Sequence, residues 1–174
     1  TFVYRTNRRK QVVTAGATIG LARTVLVVDP NGAYRASMLL KIDNQTEPYL
    51  EIELPDNGEL WAAHVAGHPV KPAKSSGTGS ATRRIPLIKT AEGDLDYDVV
   101  LKYAGQMDGF RFLRSVHFPV IRTKNITTEL SQIKLYLPKD YRWLQFDGTA
   151  TRVSGEDAFK AGFLSYQTQQ LEEL

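Results

Sequence analysis

The 174-residue sequence contains no cysteine, which rules out disulfides, thiolate chemistry and cysteine-based zinc sites. Long apolar runs are missing as well: nowhere do about 18 apolar residues follow one another, so no helix is expected to span a bilayer. No Met opens the chain and no secretory apolar segment precedes Thr1, so we expect a soluble piece cut from a longer protein. Short catalytic signatures are also lacking. There is no Gly-x-Ser-x-Gly elbow, and His64, His68 and His117 have no neighbouring Ser/Asp pattern to suggest a triad. Gly77-Thr78-Gly79-Ser80 lacks the Lys-Ser/Thr of a phosphate loop and leads into a strand rather than a helix. No pair of carboxylates is singled out for glycoside cleavage. The expectation is a non-enzymatic chain with no cofactor.

What is present is period-two alternation, with 42% apolar residues to build a core. Tyr34, Ala36, Met38, Leu40 and Ile42 interleave with Arg35, Ser37, Lys41 and Asp43. Leu50, Ile52 and Leu54 alternate with Glu51 and Glu53, and Leu95, Tyr97, Val99, Leu101 and Tyr103 with Asp96, Asp98 and Lys102. Each segment needs one buried and one wet face, as antiparallel sheets do. Further strands are expected at 24–28, 61–65, 84–88, 115–122, 132–137 and 143–146. Turn chemistry separates them at Asp29-Pro30-Asn31-Gly32, Pro55-Asp56-Asn57-Gly58 and Asp147-Gly148. Residues 74–82, small and polar, read as a mobile hairpin loop. No helix-length segment lies between the strands to serve as a crossover. The fold class predicted is all-β, an antiparallel β-sandwich, either one large or two small in tandem.

After residue 153 the pattern changes. Ser154 can cap a helix with Glu156 and Asp157 in its first turn, and Phe159, Phe163 and Tyr166 then share a face, so an amphipathic helix is expected over 154–174. Leu171-Glu172-Glu173-Leu174 carries no stop signal, which suggests a natural chain that continues. The expected organisation is a sandwich region over 1–153, divisible into halves at about 24–90 and 91–153, followed by this helix.

The division rests on a unit that occurs twice. Tyr49 to Gly67 (YLEIELPDNGELWAAHVAG) and Gln132 to Gly148 (QIKLYLPKDYRWLQFDG) both read alternating strand, Leu-Pro, polar turn, Trp, second strand, Gly. Duplication and the general likeness of amphipathic strands both account for it. Each copy is expected to form a hairpin anchored by a core Trp, Trp61 or Trp143. The wider ordering from Glu53 through His68-Pro69-Val70-Lys71-Pro72 to Arg83-Arg84-Ile85-Pro86 resembles β-sandwich modules of large, uncharacterised bacterial cell-envelope proteins, over about residues 34–148. The resemblance implies an accessory or structural module outside the cytoplasm and transfers no catalytic residue.

Several residues invite a functional reading beside a plainer one. His64 and His68 stand four apart, but Gly67 and Pro69 break any helix that would make that a metal-ligand spacing. Asp94, Asp96 and Asp98 recur at period two, roughly 7 Å apart along a strand; they are weak calcium candidates, and a solvated acidic face is the default. Arg5, Arg8, Arg9 and Lys10 belong to a basic stretch with seven Lys/Arg against one acid over residues 1–41. A solvated edge explains them without nucleic acid. Asn44-Gln45-Thr46 and Asn125-Ile126-Thr127 match the glycosylation sequon. Exposed aromatics can stack on sugars, and Tyr136, outward by alternation, is the first candidate, with Trp61 and Trp143. We therefore expect an interaction or spacer module whose partner is a protein or cell-envelope polymer. A carbohydrate-binding module is the alternative, and a hydrolase the remote one.

Overall fold

A computed structural model of the chain describes residues 16–74, 81–91, 95–109, 116–141 and Thr168. These hold ten strands, β1 (Ala17–Val28), β2 (Ala33–Asn44), β3 (Tyr49–Glu53), β4 (Gly58–Val65), β5 (His68–Pro69), β6 (Ala73–Lys74), β7 (Thr82–Pro86), β8 (Tyr97–Gln106), β9 (Arg122–Thr123) and β10 (Thr127–Tyr136). They form a six-stranded sheet in the order β10-β1-β2-β8-β4-β5 and a four-stranded sheet in the order β6-β7-β3-β9. One core joins them. Leu26, Met38, Leu40, Val99 and Leu101 of the larger sheet cluster with Leu50, Ile52 and Ile85 of the smaller, and Ile121 and Ile126 complete it. The all-β sandwich expected from alternation is the fold observed, with strands from both halves of the sequence interleaved in the six-stranded sheet.

The boundaries follow from local chemistry. Asp29-Pro30-Asn31-Gly32 closes the β1–β2 hairpin: Gly32 N donates to Asp29 O at 2.9 Å, Asp29 N to Ala33 O at 2.8 Å, and Gly32 sits at φ 87°. Proline fixes the first turn position, and glycine takes the left-handed one. Between β4 and β5, Ala66 (φ 48°) and Gly67 (φ 81°) make the two-residue turn whose twist suits a hairpin.

Four expectations need correction. β1 runs twelve residues, not five, because Ile19, Leu21 and Ala22 are buried with no alternation to announce a strand. β10 begins at Thr127 and pairs with β1 in parallel, so the sheet is not purely antiparallel. The stretch 115–122 was expected as a strand; of its described residues only Arg122 is in one, since Pro119 lacks a ladder donor and its carbonyl instead accepts from the Tyr103 hydroxyl at 3.1 Å. Finally, β3 and β4 belong to different sheets, so Leu54-Pro55 leads from one layer to the other and the first copy of the repeated unit is no hairpin. The second strand of the other copy, with Trp143, lies outside the described residues, as do Arg5 to Lys10 and, Thr168 apart, the expected helix.

The aromatic core is supplied by Tyr34 and Tyr103 rather than by Trp61. Their rings meet edge to face, with centroids 6.3 Å apart, and both are almost wholly buried. Burial raises both phenols above their ordinary range, Tyr103 the more strongly. Their hydroxyls differ, for Tyr103 donates to Pro119 O while Tyr34 Oη is buried with no hydrogen-bond partner among the described residues. An orphaned buried polar group costs about 1–3 kcal/mol, and a satisfied one contributes about 1. Tyr34→Phe should therefore leave stability unchanged or raise it by up to about 1 kcal/mol, whereas Tyr103→Phe should lower it by about 1 kcal/mol. Urea titration of the two variants checks the opposite signs.

Candidate functional site

The face of the six-stranded sheet turned away from the core is the surface with the most unusual content. Its make-up follows from register. Val27, Arg35 and Ala104 stand opposite one another on β1, β2 and β8, with Tyr136 of β10 beside Val27 and Glu59 of β4 beside Ala104. One row along come Lys134, Val25, Ser37, Lys102 and Ala62, and in the next Gln132, Arg23, Leu39, Val100 and His64. In each strand these are the residues that alternate with the buried core set.

Trp61 joins this face through a defect in pairing. The register between β4 and β8 shifts between Leu60 and Ala62, so Trp61 is the extra residue of a β-bulge opposite Lys102. Leu60 before it packs on the core and Ala63 after it is buried, which leaves Trp61 itself 65% exposed. The core anchor expected at this position is thus an outward-facing indole. Alternation could not foresee a bulge, because a bulge breaks the period on which the reading depends.

Tyr136 is 48% exposed, outward as alternation predicts, and the Lys134 ammonium lies 5.4 Å from its ring centroid. Four inter-strand steps separate β10 from β4, or about 19 Å at ~4.8 Å each. Trp61 and Tyr136 therefore share a face without forming one aromatic platform.

The opposite end of this face is acidic but internally matched. Lys41 Nζ lies 3.2 Å from Asp98 Oδ1 and 3.6 Å from Asp96 Oδ1, so one ammonium spans both carboxylates. Asp94 lies outside the described residues, and among the described residues no group of three potential metal ligands converges. His64 and His68 do not meet: His64 pairs with Pro69 and Val65 with His68, which puts the two imidazoles on opposite faces of the ribbon. His117 is exposed outside any strand.

No protein-family model and no curated protein matches the sequence. Among solved structures, the chain is similar to an M1 zinc metallopeptidase from Deinococcus radiodurans bound to a Tyr-Ser-Ala substrate, at TM-score 0.43 and 17% identity over 52% of this chain and 21% of that one. It is also similar to yeast LTA4 hydrolase in complex with bestatin, at TM-score 0.40 and 10% identity over 51% of this chain and 14% of that one. The chain thus spans about a fifth or less of the length of either structure.

The outer face of the smaller sheet is a contrasting surface. Glu51 and Arg84, in register on β3 and β7, meet at 2.8 Å, and Lys124 reaches Glu53 at 2.8 Å. The hydrogen bond donated by Lys124 holds the Glu53 carboxyl below its ordinary range, and the one that Arg84 Nε donates to Glu51 raises the Arg84 guanidinium, which also lies 4.5 Å from the Tyr49 ring centroid. The sequons are held differently again. Asn44 is fully buried with its amide engaged, so the folded chain offers no acceptor there; Asn125 is exposed and bridges Tyr49 O and Glu51 N.

Proposed function

We propose that this chain is a non-catalytic β-sandwich module of a larger extracytoplasmic protein, one that makes protein contacts or spaces neighbouring domains. The observation that carries the reading is Trp61, a large indole held outward on a paired strand whose flanking residues are anchored in the core. Such a side chain surrenders little freedom on binding, and Trp, Tyr and Arg are the residues on which protein interfaces concentrate their energy. Arg35 and Tyr136 occupy the same face. The extracytoplasmic location follows from the resemblance of residues 34–148 to cell-envelope modules, and an export signal in the parent sequence is its direct test. Exposed aromatics also favour a second reading, in which Trp61 or Tyr136 stacks on a sugar ring of a cell-envelope polymer.

Photo-crosslinking separates the two. With a benzophenone amino acid at position 61, and at the exposed position 89 as control, irradiation of cells making the parent protein should give adducts from position 61 that proteases degrade and glycan-cleaving enzymes do not. Adducts sensitive to glycan cleavage would support the carbohydrate reading. Equal adduct yields from both positions, or none from position 61, would remove Trp61 as a contact residue.

A further inference from the structure

We infer that Asn57 is a site of spontaneous covalent modification, at which the chain converts its own asparagine to aspartate and isoaspartate through a cyclic imide, with water as the only co-reactant. In the first step the Gly58 nitrogen gives up its proton and attacks the Asn57 side-chain carbonyl. A bond forms between Gly58 N and Asn57 Cγ, the bond from Cγ to Nδ2 breaks, and Nδ2 leaves as ammonia. Water then opens the ring at one of its two carbonyls. Opening at Cγ gives aspartate in the ordinary main chain, and opening at the Asn57 main-chain carbonyl gives isoaspartate, with the chain continuing through the side chain. Nothing is oxidised or reduced. Each converted chain gains one negative charge, between Asp56 and Glu59 at the start of the strand that carries Trp61.

Two asparagines have the neighbour this chemistry favours, Asn31-Gly32 and Asn57-Gly58, because glycine leaves the attacking nitrogen unshielded by a side chain. The structure separates them. Asn57 is exposed, sits in the left-handed region at φ 56°, and its side chain has no hydrogen-bond partner among the described residues. One hydrogen bond must open before attack, from Gly58 N to Pro55 O at 2.9 Å. Asn31-Gly32 is held by four. Gly32 N donates to Asp29 O at 2.9 Å, Ala33 N to Asn31 Oδ1 at 3.0 Å, Gln106 Nε2 to Asn31 O at 2.7 Å and Met107 N to Gly32 O at 2.9 Å. Gly32 is also buried against residues 107–109, whereas Gly58 is half-buried. Attack waits on a transient local opening, and opening becomes rarer with each bond that must break. Asn44 and Asn125 have both amide atoms engaged and are followed by Gln45 and Ile126, whose side chains crowd the nitrogen. Among the described asparagines, Asn57 alone combines a glycine neighbour with an unengaged amide.

The test uses the whole 174-residue chain, held folded at mildly alkaline pH for several weeks in water enriched in heavy oxygen, then digested for peptide mass spectrometry. Conversion at position 57 should run about tenfold or more faster than at position 31, take up one heavy oxygen from solvent, and yield both aspartate and isoaspartate. In concentrated urea, where neither turn persists, the two rates should come within about threefold of each other. Gln106→Ala, which removes one of the four bonds around Asn31, should raise the rate at position 31 about twofold or more and leave position 57 unchanged. A rate at position 31 equal to or above that at position 57 in the folded chain would overturn the assignment, as would conversion of Asn57 in urea alone. Aspartate without isoaspartate would show direct hydrolysis of the amide and overturn the cyclic route. A tenfold preference that persisted in urea, or no change at position 31 in Gln106→Ala, would overturn the account in which the turns set the rates.

Discussion

Asn44→Ala should lower stability by about 3 kcal/mol, the larger part of which comes from donors and acceptors left without partners. Asn44 ends β2 with no accessible surface, and its side chain makes three hydrogen bonds at 2.8 Å: Nδ2 donates to Glu47 O and Ile88 O, and Oδ1 accepts from Glu47 N. Its backbone is held equally firmly, with Asn44 N donating to Thr90 Oγ1 at 3.1 Å and Thr90 N donating to Asn44 O at 2.7 Å. Tyr97 donates to Ile88 O at 2.8 Å, and burial raises its phenol. One amide therefore ties the end of β2 to the turn into β3, to the segment after β7 and to the start of β8. Alanine leaves Glu47 N and O unpaired, while Ile88 O keeps the Tyr97 hydroxyl. For a domain of this size the loss corresponds to a melting temperature lower by roughly 6–12 °C. Asn44→Asp is the informative companion, since a carboxylate keeps the acceptor and loses both donors. It should be at least as unstable as Asn44→Ala at neutral pH. An aspartate variant as stable as the parent would show that the two donated bonds do not hold this corner together.

The importance of Asn44 is invisible in the sequence, where it reads as a sequon or a turn residue. Its partners lie three and forty-four positions away, and only the fold unites them. Alternation did reveal β2, β3 and β8, because each has one buried and one wet face, and the pattern at Asp29-Pro30-Asn31-Gly32 gave the β1–β2 hairpin directly. It was silent about the first part of β1, whose consecutive buried residues carry no period, and about the parallel pairing with β10, which joins segments about a hundred residues apart. The candidate site divides in the same way. Tyr136 was legible as outward from its neighbours Leu135 and Leu137. Trp61 was misplaced because a bulge shifts the register at that residue. Arg23, Arg35, Lys102 and Lys134 are each an ordinary polar member of an alternating strand, and become a group only through inter-strand register, which no local pattern encodes.

Gly32→Ala should be comparably damaging, for two reasons that a second glycine can separate. The first is conformational: Gly32 sits at φ 87°, where an L side chain costs roughly 1–2 kcal/mol. The second is steric, since a Cβ at Gly32 would come to 2.3 Å from Met107 O and 3.0 Å from Gly109 N, both backbone atoms that cannot rotate away. Relief requires the segment after β8 to move. That segment is tied to the same turn by Met107 N donating to Gly32 O at 2.9 Å and Gln106 Nε2 to Asn31 O at 2.7 Å. Crowding of this kind adds about 1–3 kcal/mol, for a total of about 2–5 kcal/mol. Gly67 provides the comparison, with a similar φ of 81° but nothing among the described residues within 4 Å of the added methyl. Gly67→Ala should therefore show the conformational cost alone, roughly 1–2 kcal/mol. Guanidinium titrations of both variants, read as midpoint shifts at unchanged slope, give the difference directly. Equal shifts would mean that the contact between the Asp29–Gly32 turn and residues 107–109 yields without cost, and that the end of the sheet nearest Arg35 is softer than its packing implies.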